Sequence, residues 1–438
     1  MFGKPLSELR IVAILGTLVS RGLSTVLSFA LLLVVARLLS VEAYGEYAFL
    51  LSCVMGVGVL ATLGQTVVLV KYFDEDMASS EGVNPALLQR ASRYMVLGSV
   101  VLLMGGVSVW LASVIAPQVV PLDLTPAAIT VLVLGSIAFQ WAEYWQARYR
   151  AEGRFALALI PRENAWRILA IACLLALWLL PAFESVRNML TAELVLGVVM
   201  AFLVISISPQ LWVAVKSRTT PQLSFDQPKG ENRRFALNVA MNAVAQHTET
   251  IIVGLVLGFA ELAVFFVVFR ITMLLYLPAT SIETVAAPMV SNALRGDDPV
   301  RTQRLVGRFS AITWLLATVG GAIILVIYPY ILFLFNAELE APFAFVALMV
   351  TMASVQSFFG LGTGYLMIGG GEAFFLAYRT IFHVIYMVLL AAAGLAFGLI
   401  GVALVMLILI VAESAMAWWW CRKNLGLEIT ALGVLRAR

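Results

Sequence analysis

Long apolar stretches separated by short polar ones run the length of the chain. Windows of about 19 residues place twelve of them near 11–36, 46–70, 93–116, 125–147, 163–180, 188–208, 234–257, 262–290, 309–335, 342–367, 373–396 and 399–420. A helix needs about 20 apolar residues to cross hydrocarbon. In hydrocarbon, every backbone polar group must be satisfied within the segment or by a closed barrel. Runs of this length therefore predict an all-α polytopic membrane protein with twelve transmembrane helices.

The connections between these stretches alternate in character. One set, 38–45, 117–124, 181–187, 258–261, 336–341 and 397–398, is short and nearly free of Lys and Arg. With span-end residues given to the adjoining side, the other set, 71–92, 148–162, 209–233, 291–308 and 368–372, together with both termini, holds 23 of the 28 basic residues. Only Arg37 and Arg187 fall on the opposite side. Basic loops stay in the cytoplasm, so both termini are expected there, and an even span count agrees. Lys4 and Arg10 before the first apolar run resemble a signal peptide. That run, however, continues to about Val35 without a small-residue cleavage site, which reads as a retained span.

The longest polar connection, 209–233, contains Pro209, Pro221, Pro228 and Gly230. It divides the chain into an N-terminal lobe, 1–208, and a C-terminal lobe, 234–438, each with six spans. Its opening residues, 211–216, are apolar enough to lie along the inner membrane surface. At an offset of 219, Glu42, Gly45 and Tyr47 fall against Glu261, Val264 and Phe266. Two same-direction six-helix lobes around a central cavity, an arrangement many transporters use, fit this pattern.

Composition agrees. Of 438 residues, 62% are hydrophobic and 12% charged, and the mean hydropathy is +0.98. Soluble domains are roughly 45–50% apolar and about 25% charged. Soluble enzymes, disordered chains, collagens and disulfide scaffolds are thereby excluded. Cys53, Cys173 and Cys421 are scattered and odd in number, so they read as free thiols with no metal-ligand spacing.

Ionisable side chains inside spans cost about 2.5–3.5 kcal/mol on insertion scales, so each calls for a reason. In the first span Thr17, Arg21, Ser24 and Ser28 share one helical face. In the seventh, Asn238, Asn242, Gln246 and Glu249 repeat the pattern, with His247 beside them. Two such stripes on the opening spans of the two halves are expected to face a wet cavity. Interhelical hydrogen bonding in a static bundle is the competing account, favoured for Ser and Thr. Further embedded charges are Glu143 (with Ser136 and Gln140 on its face), Arg167, Glu193, Arg270, Glu283 and Glu413. Arg167, Glu283 and Glu413 are near enough to the inner surface to snorkel; Arg270 is not. Pro278 removes a backbone hydrogen bond and is expected to bend the eighth span, as a hinge or as packing. The pairs Gly105-Gly106 and Gly320-Gly321 read as sites of close helix packing. Trp141-Tyr144-Trp145 and Trp418–Trp420 read as interfacial belts.

No catalytic motif is present: no HExxH, GxSxG or DxD, no metal cluster and no phosphate loop. Catalytic residues and a resident cofactor are therefore not expected, and the chain does not read as an enzyme.

Four short motifs carry a family resemblance. Ala36-Arg37-Leu38-Leu39 followed by Tyr44-Gly45-Glu46-Tyr47-Ala48 resembles the opening of Wzx-type polysaccharide flippases, members of the multidrug/oligosaccharidyl-lipid/polysaccharide (MOP) exporter superfamily. Glu249-Thr250-Ile251-Ile252-Val253-Gly254 is similar to that family's acidic segment in the seventh span. Ala287-Pro288-Met289-Val290-Ser291 resembles the inner end of its eighth, and Gly398-Leu399-Ile400-Gly401-Val402-Ala403 the start of its twelfth. Glu249 replaces the usual Asp, and Val264-Phe265-Phe266 replaces an expected Gly-x-Tyr.

The resemblance implies a multi-pass protein of the bacterial inner membrane. It implies a flippase that moves an undecaprenyl-pyrophosphate-linked oligosaccharide, such as an O-antigen or other polysaccharide repeat unit, by alternating access. Arg21 and Arg270 would then meet the pyrophosphate, while Ser24, Asn242 and Gln246 would bond sugar hydroxyls. Glu249, Glu143 and His247 are candidates for coupling H+ or Na+. The implied partners are the lipid-linked glycan, the bilayer, a polysaccharide polymerase and glycosyltransferases; nucleic acid is not among them. One chain already contains both lobes, so a monomer suffices. A multidrug antiporter of the same superfamily would want a cavity dominated by acids, against which Arg21 speaks. A polymerase or ligase would want a large outer loop with catalytic Arg or His. A non-transporting scaffold would tolerate neutralising Arg21 and Glu249 together.

Overall fold

The computed structural model describes residues 6–72, 85–115, 125–152, 154–216, 231–295, 299–360 and 362–436. Among them the chain is helical, with no strand, and each of the twelve expected spans coincides with a helix or a broken helix. Among the described residues, eight helices are long and apolar enough to cross a membrane by themselves, and a ninth span forms if the bent pair 157–187 is counted as one. The helices form two compact units, Met1–Ile251 and Ile252–Arg438.

The first unit begins with α1 (Leu6–Leu38), α2 (Val41–Ala61), α3 (Gln65–Lys71), α4 (Pro85–Ile115) and α5 (Pro126–Ala151). Ser40 caps α2 by accepting from the Ala43 N–H at 3.3 Å, and Thr125 caps α5 by accepting from Ala128 at 3.0 Å, with Pro126 at the first helical position. Helix α5 is the centre of this unit; α2, α3, α4 and α9 (Ala192–Lys216) all pack on it. Its position shows in burial: α2 is 61% buried along its span, whereas α4, apolar on every side, is 11% buried and turns most of its surface outward.

The expected second span, 46–70, is broken. Leu63 (φ 50°) and Gly64 (φ 79°) separate α2 from α3. The break leaves carbonyls at the end of α2 without helical partners, and Gln140 of α5 supplies one. Its Nε2 donates to the Ala61 carbonyl at 2.8 Å and to Met95 at 2.9 Å, while its Oε1 accepts from Ser99 at 3.0 Å.

The fifth span is also irregular. It comprises α6 (Phe155–Leu159), a π-helical turn over Ile160–Ala165 and α7 (Trp166–Leu179), after which α8 (Glu184–Arg187) turns away at 91°. Helix α9 continues through Pro209 to Lys216, so the backbone of 211–216 extends the sixth span where a separate surface segment was expected. The rest of the inter-lobe connection, 217–230, lies outside the described residues. Helix α10 (Glu231–Leu257) begins within the first unit, where Gln65 Nε2 donates to Asn232 Oδ1 at 2.7 Å and Lys71 sits over the Phe235 ring.

In the second unit α11 (Phe259–Met273) leads through a 3-10 turn, Leu274–Tyr276, into α12 (Leu277–Arg295). Pro278 therefore occupies the first turn of a new helix, where its missing N–H costs nothing, and the irregular turn precedes it. Helix α13 (Pro299–Phe335) is the centre of the unit and packs on α12 and α14 (Phe343–Phe358). After α15 (Gly362–Ile368), α16 (Glu372–Asn424) contains the last two expected spans, separated at Gly398 (φ 60°, ψ −147°), a conformation that glycine tolerates.

Residues 425–432 and α17 (Gly433–Arg436) fold back onto the unit as a strap. Leu427 and Ile429 are buried among α12, α13, α15 and α16, and Ala431 is buried beyond them. Gln303 of α13 holds the strap by donating to the Glu428 and Gly433 carbonyls at 3.0 and 3.2 Å and accepting from the Glu428 N–H at 2.8 Å. Ser310 donates to the Ile429 carbonyl at 2.7 Å, and the Ala431 N–H donates to Phe358 at 2.7 Å. Trp418 donates its indole N–H to Glu428 Oε1 at 2.6 Å, so this tryptophan anchors the strap as well as lying in an aromatic cluster.

Candidate functional site

The π-helical turn of the fifth span is where the polar chemistry of the first unit collects. A π turn holds one residue more than an α turn and often marks a functional position. Here Pro161 removes an N–H at its start, and Arg162, Glu163 and Asn164 follow on three successive positions. Glu163 is the hub. Its Oε2 accepts from Ser24 Oγ of α1 at 3.0 Å and from Arg167 at 3.3 Å; its Oε1 accepts from Gln146 Nε2 of α5 at 3.0 Å and from Arg162.

The remaining members close the network. Arg167 also donates to Ser24 Oγ at 3.0 Å and to the Glu163 carbonyl. Arg162 pairs with Glu143 of α5 as well as with Glu163, and its guanidinium lies 5.1 Å from the Phe139 ring. Arg167 stacks on Trp166 at 4.6 Å, and Arg150 donates to Gln146 Oε1. Side chains of Arg167 and Arg162 are only 10% and 18% exposed, and those of Glu143 and Glu163 17% and 21%. Charges so enclosed persist only when paired and hydrogen-bonded. Rather than snorkelling along the surface of the fifth span, Arg167 turns onto α1.

The expected site residues are distributed as follows. Ser24 and Glu143 belong to this network. The side chain of Arg21, one turn before Ser24 on α1, and that of Asn242 lie outside the described residues. Gln246 is exposed on α10, and Glu249 is half-buried there. His247, also half-buried, lies against Gly56 of α2, where a Cβ would stand 3.4 Å from its ring. Arg270 is half-buried on α11 with its guanidinium 4.8 Å from the Phe266 ring. Pro278 opens α12. Sequence reasoning missed Arg162 and Glu163 because they fall where the fifth span meets a basic loop, and Gln146 because it closes the fourth span at the other end of that loop. The signal was Pro161 followed by two charges at the very start of an apolar run. Among the described residues, no group of three or more His, Cys, Asp or Glu is placed to hold a metal.

No protein-family model and no curated protein matches the sequence. Solved structures do match. An inward-facing multidrug resistance MATE family transporter of the MOP superfamily superposes with a TM-score of 0.64 at 16% identity, over 92% of this chain and 94% of that one. The fold is that of a MATE transporter. An outward-facing MATE transporter matches with a TM-score of 0.56 at 15% identity, over 95% of each chain. A MOP superfamily transporter from Pyrococcus furiosus, described as having a binding pocket of reverse polarity that suggests a different function, matches with a TM-score of 0.54 at 15% identity, over 95% of each chain. Together with the apolar helices, this fold is that of a multi-pass membrane protein.

Proposed function

We propose that this MATE-fold chain is a flippase for an undecaprenyl-pyrophosphate-linked oligosaccharide in the bacterial inner membrane. One observation carries the reading: arginine, not acid, stands on the polar face of the first span. Arg21 lies one turn before Ser24 on α1, and Ser24 accepts from Arg167 at 3.0 Å. Arg167, with its partner Glu163, is thus brought to the helical face that contains Arg21 in the sequence. Guanidinium forks match phosphate oxygens. The Pyrococcus furiosus protein, with its pocket of reverse polarity, supports the view that this fold accommodates cargo of different charge. The quoted motifs of the Wzx-type flippases point the same way.

In this reading the lobes are 1–208 and 234–438, both termini are cytoplasmic, and Arg21 and Arg270 take the pyrophosphate. Ser24, Asn242 and Gln246 bond the sugars, Glu249, Glu143 and His247 are available to couple H+ or Na+, and Pro278 helps the eighth span to bend. The protein works as a monomer without a cofactor or catalytic step, beside the polymerase and glycosyltransferases that use and make the cargo.

The test is a mass-spectrometric census of lipid-linked sugars with and without the intact gene, alongside surface glycan staining. Accumulated undecaprenyl-linked repeat units with lost surface glycan are the expected result. Unchanged pools with altered tolerance to organic cations would overturn the flippase in favour of the antiporter.

A further inference from the structure

Four donors from three helical segments converge on one carboxylate: Ser24 Oγ from α1, Gln146 Nε2 from α5, and the guanidiniums of Arg162 and Arg167 from the fifth span. A carboxylate and a phosphate present similar oxygens to a guanidinium fork. We propose that Glu163 is an internal stand-in for a phosphate, and that Ser24, Gln146, Arg162 and Arg167 form a diphosphate-binding subsite that opens when Glu163 turns away. This deepens the flippase reading and rests on it for the identity of the cargo.

The π turn supplies the movement. Glu163 sits within Ile160–Ala165, which holds one residue more than an α-helical turn. Successive residues of an α-helix are about 100° apart around its axis. Shifting the extra residue past Glu163 would therefore swing its side chain by about that angle. Pro161 removes one N–H at the start of the turn and so weakens its hold on the α-helical ladder. Arg162 also pairs with Glu143, so only part of the network has to exchange. An anion arriving at the vacated position would meet the same donors that Glu163 uses now. The subsite is also continuous with the stripe of the first span, because Ser24 belongs to both.

The sign of the effect separates this from a purely structural network. Glu163→Gln keeps the shape and removes the negative charge, so an anion gains what the carboxylate loses. The probe is inorganic pyrophosphate, titrated against the full-length protein in detergent micelles. Glu163→Gln is expected to bind it tenfold or more tightly than the parent, and adding Arg167→Gln or Arg162→Gln should abolish the gain. Arg167→Lys in the same background should restore part of it, because a point charge attracts the anion without the fork. A network that only holds helices together would show loss of thermal stability in all these variants and no gain in affinity; that result overturns the subsite. Should Glu163→Gln fail to fold, Glu163→Asp keeps the charge but withdraws it by one methylene. It is expected to raise affinity less, and unchanged affinity there is equally fatal.

Competition identifies the source of the phosphate. Displacement of the probe by undecaprenyl pyrophosphate but not by phosphatidylglycerol supports a cargo site; equal displacement by both overturns a role in cargo selection. The two readings fail separately. Glycan export that depends on the gene, without any gain in Glu163→Gln, overturns the subsite and leaves the flippase. A gain in affinity in a protein whose deletion leaves lipid-linked pools untouched supports the anion subsite and overturns its assignment to this cargo.

Discussion

The strap at the end of the second unit gives a quantitative test of the packing. Gln303→Leu keeps the size of the side chain and removes its amide. Three hydrogen bonds are lost at once: two to the Glu428 and Gly433 carbonyls and one from the Glu428 N–H. At about 0.5–1.5 kcal/mol each, with the backbone partners left enclosed, the loss is about 3 kcal/mol. Such a change raises the population of the open strap by roughly a hundredfold. The assay is amide hydrogen exchange of the peptide covering residues 425–436, in detergent, with mass-spectrometric detection. The Glu428 and Ala431 amides, bonded to Gln303 and Phe358 in the parent, should exchange about two orders of magnitude faster.

If the strap opens only with the rest of the unit, the same loss appears as a fall in melting temperature. For a cooperative unit of about 150–250 residues, roughly 2–4 °C per kcal/mol gives about 6–12 °C. Adding Ser310→Ala removes the bond to the Ile429 carbonyl, 2.7 Å in the parent, and should increase the effect further. Exchange of 425–436 within threefold of the parent, with an unchanged melting temperature, would refute the reasoning: the strap would then owe nothing to Gln303.

Three other outcomes follow from the spans. Arg21→Ala is expected to abolish glycan export at normal protein level, with Arg21→Lys testing whether charge alone suffices; full export by Arg21→Ala refutes a phosphate role for this residue. Glu249→Gln is expected to remove ion dependence in reconstituted vesicles, and transport that still responds to the imposed ion gradient would take it out of the coupling role. Gly98→Ala drives a methyl into the Ala61 carbonyl and to 2.6 Å from Gln140 Nε2, so it should lower the melting temperature markedly. Gly105→Ala meets nothing within 4 Å and should be neutral or stabilising by up to about 1 kcal/mol, so equal effects of the two would contradict the packing.

Hydropathy made the helices legible because each span must satisfy its backbone alone, and that demand writes itself into some twenty successive residues. Breaks within spans were harder to read. The interruption at Leu63–Gly64 depends on Gln140, far away in sequence, meeting the Ala61 carbonyl. Glycine pairs were only partly legible. A Cβ at Gly106, Gly320 or Gly321 would strike Val133, Leu275 or Val350, as close packing requires, but Gly105 faces open space, because adjacent residues on a helix point some 100° apart. The strap escaped notice because its signal is an alternation, Leu425, Leu427, Ile429, Ala431, too short to register in a window sized for spans. In the candidate site, the face containing Ser24 was readable from helical spacing. Glu163 was not, since a π turn shifts the very spacing by which a face is recognised.

The polar groups within the spans divide by what they bond to. Gln140 is fully buried and its amide donates to two main-chain carbonyls, at Ala61 and Met95. A main-chain carbonyl at a helix break cannot leave, so moving Gln140 would strand it without water to replace the bond. Such a group belongs to the architecture. Glu163 is the opposite case: Ser24, Gln146, Arg162 and Arg167 all reach it through side chains, from helices packed against one another. Side-chain donors can follow a different anion, and Arg162 already divides its charge between two carboxylates. Under the proposed flippase function, which requires one set of interhelical contacts to be exchanged for another, the second kind of group is the one able to change partners. The polar residues of these spans are therefore better sorted by the bonds they make than by their depth or charge, and on that ground the π turn, more than any single embedded ion, is the element on which the proposed function depends.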